Sequence, residues 1–346
     1  MKSKITIKEI AKKAEVSIGT VDRVLHNRGR VAEETKERVM KIAREGNYSS
    51  NVYARSLKLN RVFSIAVILP QRNAYWAKHS DGVAKALEEF DYLTTKLYEY
   101  DLESEGQDGI EGVLEQVLQD EPDGIVIAPI FLNENSPVIQ KLNESKIPVV
   151  QVDSEIELSN CISFIGQDAF QSGLMSGNLL DEGYSDDYAV YVITFQAVHL
   201  YNKSVVNRIK GLESYYKNKE NAPEIININL ERDLRGVADI LEEMKSSGKK
   251  IRLFVPNSGS YLLASDLAPI KKQLQLRMIG YDLIDMNKHF LRDGIINYLI
   301  HQQPRQQGYK AIQALHQHLL LKAEVKKEQF LPLDIITKEN LMYCEH

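Results

Sequence analysis

Cysteine is almost missing: Cys161 and Cys344 are the only two in 346 residues. That excludes a disulfide-built scaffold and any zinc site with four cysteine ligands. Long apolar runs are missing as well. The longest, such as Phe63 to Leu69, fall far short of the roughly 20 residues a membrane-crossing helix needs. The opening stretch, MKSKITIKEIAKKAEVS, has no continuous apolar segment and no small-residue cleavage site, so no secretory leader and a cytoplasmic location are expected. The signatures of catalysis are absent too: there is no G-x-S-x-G elbow, H-E-x-x-H pair, G-x-G-x-x-G fingerprint or Walker A loop. His199, His289 and His301 lack the mutual spacing of metal ligands. The acid pairs Asp186-Asp187 and Glu242-Glu243 are sequence neighbours, which turns them to different faces rather than around one substrate. Neither an enzyme nor a resident metal or cofactor is expected.

What is present describes a soluble globular chain, with 43% hydrophobic and 26% charged residues. Single cores stop growing at about 250–300 residues, so a chain of this length is expected to form two or three units. Charge is divided unevenly. Residues 1–60 hold 14 Lys and Arg against 7 Asp and Glu, whereas the rest hold 29 against 41. A basic head on an acidic body suggests that the head meets a polyanion and the body does not.

The head reads as three short helices. Thr6-Ile7-Lys8-Glu9 fits a capping box, and Ile7, Ile10, Ala11 and Ala14 follow on one face. Ser17 is a second N-cap candidate, followed by an apolar stripe of Val21, Val24 and Leu25. A third helix, from about Ala32 to Glu45, is expected to bury Val39, Ile42 and Ala43 and to end at Gly46. Two short helices joined by a tight turn and braced by a third describe an all-α helix-turn-helix unit. The solvent face of the second helix carries Ile18, Gly19, Asp22, Arg23 and His26, a set poorly suited to simple solubility. Arg23 suits a bidentate contact with a guanine edge, and the short side chains let the helix enter the major groove deeply. Ser17 and the free N–H groups at the helix start suit phosphate.

The text SIGTVDRVLHNRGRV, residues 17–31, resembles the recognition helix of the lactose/galactose repressor (LacI) family. TIKEIAKKAEVS before it and ETKERVMKIAREGNYSSNVYARSL after it extend the likeness to Leu57. The resemblance adds Ile7, Thr20, Arg30, Thr35, Tyr48, Asn51 and Arg55 to the residues expected to face DNA. Asp22 stands where the family usually has Ser; a carboxylate there can accept from a cytosine amino group or orient Arg23. Ala32 replaces a common capping Ser, which weakens that helix start. Residues 1–48 are thus expected to form the DNA-binding domain and 49–61 a hinge. The run NVYARSL, 51–57, spans only about two helical turns, and isolated helices under roughly 12–15 residues are marginal in water. It is expected to fold only when something orders it. By the resemblance, two such hinges pair in the minor groove and Leu57 wedges between base pairs.

The body, residues 62–346, reads as strands alternating with helices in two similar halves. FSIAVIL (63–69), DGIVIA (123–128) and PVVQVD (148–153) form one series; DYAVYVIT (187–194), EIININL (224–230), RLFVP (252–256) and RMIGYD (277–282) form another. Such alternation implies parallel sheets covered on both faces, hence two doubly wound α/β lobes. Ligands bind beyond the carboxyl ends of such strands, which places one site between the lobes. Residues at those ends are Asn73, Tyr75, Trp76, Asp153, Asn257 and Asp282, with Arg208 near a helix start and Gln302 before Pro304. Aromatic faces with amides, carboxylates and one Arg suit a neutral polyol: rings cover its C–H faces and fixed polar groups bind its hydroxyls.

Residues 62–340 resemble the type I periplasmic sugar-binding fold that also forms the effector domain of these repressors. SKIPVVQVDSE (145–155), NRIKGLESYY (207–216), LFVPNSG (253–259), MIGYD (278–282) and HQQPRQQGYKAIQAL (301–315) carry the likeness. It implies that all eight of those residues contact a sugar. Ser154 stands where pentose-binding members often have Arg, and Ser258 replaces the Asp common after the Asn, which points to a roomier pocket. The expectation is a transcriptional repressor, a homodimer on a pseudo-palindromic operator, whose DNA affinity is set by a small sugar-like effector. The closing LPLDIITKENLMYCEH has no leucine heptad, so no tetramer-forming tail is expected. A nucleobase or phosphoprotein effector, and a sugar-processing α/β enzyme, are the alternatives.

Overall fold

The computed structural model describes residues 5–25, 31–46, 61–71, 73–90, 92–101, 106–130, 132, 134–182, 187–195, 202–217, 219–230, 237–273 and 275–344. The predicted hinge, apart from Arg61, lies outside them. Two compact units result: a small one up to Arg61 that also takes in Leu320–Glu324, and a large one of Val62–Leu319 and the residues from Val325 on.

In the small unit, α1 (Ile7–Ala14) opens on the expected capping box. Thr6 Oγ1 accepts from Glu9 N at 3.3 Å, while Glu9 Oε2 accepts from Thr6 N at 2.8 Å. Glu15 ends the helix in the left-handed conformation, φ 53°. Two residues later Ser17 Oγ accepts from Thr20 N at 3.0 Å and starts α2 (Ile18–Leu25). The third helix, α3, is Glu33–Glu45, and Ala32 precedes it without a side chain able to cap. The core of this unit is Ile5, Ile10, Ala11, Ala14, Val21, Val24, Val39 and Ala43. Ile42, expected inside with them, is half-buried and only packs against that core.

The large unit contains two six-stranded sheets. The first lobe is built from β1 (Phe63–Pro70), α4 (Trp76–Glu89), β2 (Leu93–Tyr100), α5 (Gly106–Asp120), β3 (Gly124–Ile127), α6 (Pro137–Ser145), β4 (Val149–Val152) and β5 (Cys161–Gly166). The chain then passes to the second lobe: α7 (Ala169–Asp181), β6 (Tyr188–Thr194), α8 (Lys203–Lys217), β7 (Glu224–Asn229), α9 (Val237–Ser246), β8 (Lys250–Phe254), α10 (Ser260–Leu267), β9 (Leu276–Tyr281), α11 (Asp285–Arg292) and β10 (Tyr298–His301). It returns for α12 (Pro304–Leu319) and β11 (Glu328–Phe330), and crosses once more to β12 (Asp334–Ile336). Strand order is β11-β5-β4-β3-β1-β2 in one sheet and β12-β10-β9-β8-β6-β7 in the other. All pairings are parallel except β10 with β12.

Parallel strands are buried on both faces, so their apolar residues divide between two cores. Val190 and Val192 of β6 face α7 and α8, while Ala189, Tyr191 and Ile193 face α9 and α10. Helix pairs α4–α12 and α7–α8 cross unusually closely through glycine. A Cβ on Gly308 would lie 2.1 Å from the His79 carbonyl oxygen, and one on Gly173 2.0 Å from that of Arg208. No side chain fits at either crossing.

Three crossovers join the lobes, and a single side chain ties them together. Gln167, in the first, donates through Nε2 to the His301 carbonyl of the second (2.9 Å) and the Pro332 carbonyl of the third (2.6 Å). Gln303 Nε2 donates to Asp334 Oδ2 at 2.5 Å, linking the second and third again.

Candidate effector site and nucleic-acid interface

On α2, Ser17, Ile18, Gly19 and Arg23 are exposed, and Thr20 and Asp22 are half-buried. Ile18 is 50% exposed, unusual for a large apolar side chain. The Ser17 hydroxyl, besides capping α2, shares a hydrogen bond with Thr20 Oγ1 at 2.9 Å. Arg23 folds along the helix, its Nε donating to Gly19 O at 3.1 Å and one terminal nitrogen to Thr20 Oγ1 at 3.4 Å. The guanidinium is thereby held beside the residues expected to enter the groove. Ile7 packs against the small core, and Thr35 is half-buried on α3. His26, Arg30, Tyr48, Asn51, Arg55 and Leu57 lie outside the described residues.

In the large unit a cavity of about 240 Å³ opens between the lobes, and all eight residues expected there line it: Asn73, Tyr75, Trp76, Asp153, Arg208, Asn257, Asp282 and Gln302. Ile130, Phe195, Asn202, Val205, Ser258, Gly259, Tyr261 and Leu262 complete the wall and were not singled out as contacts from sequence. Phe195 follows β6 directly, so the rule that ligands meet strand carboxyl ends reaches it too. Ser154, by contrast, is buried and does not line the cavity.

Local geometry explains why these side chains converge. Asn73 Oδ1 accepts from the backbone N–H groups of Tyr75 (2.9 Å) and Trp76 (3.0 Å), a turn that launches α4 with both rings at its start. Tyr75 OH donates to Asp153 Oδ1 at 2.5 Å. Asp153 and Asp282 each follow a strand, β4 and β9, with left-handed φ of 65° and 71°. Asp tolerates that region better than most residues, because its short side chain can hydrogen-bond locally. Gln302 Nε2 donates to both Asp282 oxygens, at 2.9 and 3.1 Å, and Gln302 Oε1 accepts from Arg208. Arg208 also donates to Pro256 O at 2.8 Å and stacks over the Tyr281 ring at 4.2 Å. The Arg208 guanidinium is therefore fixed before any ligand arrives.

The electrostatics are unbalanced: two carboxylates face one guanidinium. Burial pushes the Asp282 carboxyl up to about 7, against the pull of Arg208 and with the charge of Asp153 adding to the rise. Burial, and then the charges of Asp153 and Asp282, hold the Tyr75 phenol well above its ordinary value, so it stays a donor. Hydroxyl donors from a bound polyol would satisfy the acceptor capacity left on the two acids. Contacts among the described residues bridge the lobes around the cavity: Ser204 Oγ donates to Asp153 O (2.7 Å), Lys78 Nζ to Leu283 O (3.2 Å), and Lys203 pairs with Glu134. Among the described residues no group of three or more His, Cys, Asp and Glu side chains is placed to hold a metal, and no helix is long and apolar enough to cross a membrane.

Comparison with known proteins gives matches to both units. The family model for the periplasmic binding protein domain matches residues 65–323, and that for bacterial regulatory proteins of the lacI family matches residues 6–51. The chain is similar to the sucrose operon repressor of Klebsiella pneumoniae, 34% identical over 185 residues, which spans 48% of this chain and about half (53%) of that relative. It is also similar to the transcriptional repressor PurR of Aliivibrio fischeri, 25% identical over 351 residues, covering 97% of this chain and 98% of the relative. Among solved structures, a candidate LacI transcriptional regulator from Bacteroides fragilis superposes with a TM-score of 0.73 at 25% identity, over 82% of this chain and 99% of that one. With a capped helix-turn-helix unit, two doubly wound lobes and a polar cleft between them, the chain belongs to the lacI family of bacterial regulatory proteins, its body a periplasmic-binding-protein domain.

Proposed function

We propose that this transcriptional regulator is a repressor whose operator affinity is set by a neutral, polyhydroxylated, sugar-like effector held between the two lobes. The observation that carries the reading is the composition of the cleft wall. Tyr75, Trp76, Phe195 and Tyr261 offer ring faces to C–H surfaces, while Asp153, Asp282, Arg208, Asn73, Asn257 and Gln302 offer fixed donors and acceptors to hydroxyls. Since the polar groups come from both lobes, a ligand bound between them favours one lobe–lobe angle over others, which gives it differential affinity for two states. Coupling of that kind is typically worth about 1–3 kcal/mol.

The DNA-facing set is that expected from sequence, with Arg23 as the guanine reader and Leu57 as the wedge. Two copies are needed, because a pseudo-palindromic operator mirrors a protein two-fold axis. Such a regulator works in the cytoplasm and carries out no catalytic step; the effector is the only small molecule it requires.

Two measurements on the full chain test the proposal. In vitro selection on random duplex DNA without ligand is expected to recover a pseudo-palindrome. Titration with neutral monosaccharides, followed by emission of Trp76, the single tryptophan of the chain, is expected to saturate for at least one sugar and to lower operator affinity. Recovery of no motif, with or without pooled sugars, overturns the DNA reading. A motif that is enriched with no sugar response overturns the effector reading.

A further inference from the structure

The two lobes are built alike, and their likeness reveals a residue outside the cleft wall. In each lobe one helix follows the first strand (α4, α8) and packs on a helix that the chain supplies after a crossover (α12, α7). The same glycine-backed contact occurs in both pairs: Gly173 lies against the carbonyl of Arg208, and Gly308 lies against the carbonyl of His79. His79 in the first lobe thus holds the place of Arg208 in the second. Arg208 touches the cavity; His79 does not, and is buried immediately behind it.

Its surroundings join two walls. The imidazole lies 4.7 Å from the Trp76 ring, tilted by 32°, and 5.1 Å from the Tyr75 ring, edge-on. On its other side Nε2 meets Gln307 Oε1 in a long hydrogen bond of 3.4 Å. Gln307, fully buried, donates through Nε2 to the Gln302 carbonyl at 3.0 Å. The Gln302 side chain in turn holds Asp282 and accepts from Arg208. A continuous line of contacts runs from the aromatic wall of one lobe to the polar wall of the other.

We propose that His79 is a positioning residue of the effector site: it fixes the Tyr75 and Trp76 rings and, through Gln307, sets them against the Gln302 crossover that holds Asp282 and Arg208. Burial keeps the imidazole neutral, with its pKa pushed down to about 4, so near pH 7 its single N–H sits on Nε2, where it faces Gln307 Oε1, while Nδ1 is buried without a hydrogen-bond partner. A neutral ring serves this role better than a cation, which would draw Asp153 away from Tyr75. Volume alone is not enough, because the contact with Gln307 requires a polar atom.

The test uses the full chain with His79→Leu, His79→Gln and Gln307→Leu. Time-resolved fluorescence anisotropy of the single tryptophan needs no ligand. The wild type is expected to show no fast local motion of Trp76, both leucine variants to gain it, and His79→Gln to suppress it again. The second arm titrates D-glucose, D-galactose, D-fructose and D-arabinose. Any sugar the wild type binds is expected to bind at least tenfold more weakly to the leucine variants, and within about threefold of normal to His79→Gln. The proposal falls if Trp76 is as immobile in both leucine variants as in the wild type, or if Gln and Leu at 79 behave alike. The binding arm rests on the sugar reading. If the wild type binds none of the four sugars that reading loses its support, and the anisotropy arm still decides the role of His79; if His79→Leu does not fold, Gln307→Leu reads the same line from its other member.

Discussion

Asp282→Asn separates what the cleft does for stability from what it does for binding. Asp282 is 2% exposed, and burial pushes its carboxyl up to about 7 from the ordinary carboxylate value of 3.8. A carboxyl raised on folding binds more protons in the native state than in the unfolded chain between those two values, so native stability falls as pH rises through that window. Each pK unit is worth about 1.4 kcal/mol, so the ionised, buried carboxylate costs about 4 kcal/mol by pH 8 and less than half of that at pH 5. Asparagine keeps the shape and keeps an oxygen for Gln302 Nε2 to reach, but it does not titrate. Urea unfolding of the two proteins at pH 5, 6, 7 and 8 reads the difference, the midpoint shifting with an unchanged slope. The variant is expected to be the more stable at pH 8, with the gap shrinking by about 2–3 kcal/mol toward pH 5. Sugar binding is expected to be lost at every pH, since the ionised acceptor is gone. A gap that does not change with pH, or a variant less stable at pH 8, refutes the assignment of a buried, reluctantly ionised acid at this position.

The same group makes effector binding pH-linked: hydroxyl donors favour ionised Asp282, so wild-type affinity is expected to rise as pH goes up through about 7 and binding to release a proton, seen by calorimetry in buffers of different ionisation enthalpy. Gly173→Ala puts a Cβ 2.0 Å from the Arg208 carbonyl and forces α7 off α8; a loss of roughly 1–3 kcal/mol in thermal unfolding is expected, together with weaker sugar binding because Arg208 moves. Ser204→Ala removes a bond between the lobes without touching the ligand wall, so all sugars are expected to weaken by one common factor worth about 0.5–1.5 kcal/mol, with their order unchanged in calorimetric titration. Arg23→Ala is expected to relax preference at one base of the selected motif by about 1–3 kcal/mol, and an unchanged motif counts against Arg23 as a base reader.

How much of this was legible beforehand follows from burial. Strands β1, β3, β4 and β6 to β9 show in the sequence as apolar runs because most of them are covered on both faces. Strand β2, LTTKLYEY, is an edge strand with exposed Thr94, Lys96, Leu97 and Glu99, so no apolar run marks it. Strands β11 and β12 have three residues each, too few for any period to show. The eight cleft residues were readable because strand carboxyl ends are fixed by topology, and the likeness to sugar-binding proteins pointed to the same positions. The Gln167 clasp and the line from His79 to Gln302 were not readable, because they depend on which sheet each helix packs against. That choice is made by close backbone contacts such as Gly308 on His79, to which sequence periodicity is blind.

The exchange of segments between the lobes also bears on how the chain is made. The first sheet is centred on β1, β3 and β4, but one of its covering helices, α12, and its edge strand β11 come from the far end of the sequence. A ribosome reaches Gly166 with only α4 available to cover that face of the sheet, and roughly 140 residues separate this point from Pro304. At bacterial elongation rates of about 5–20 residues per second the wait is on the order of 10–30 s. The second lobe has gathered all but β12 by His301, so the part of the body synthesised later approaches completion first. The lobe that emerges first is the one exposed to aggregation and to chaperones during synthesis, and truncations ending between 170 and 300 are expected to leave it insoluble.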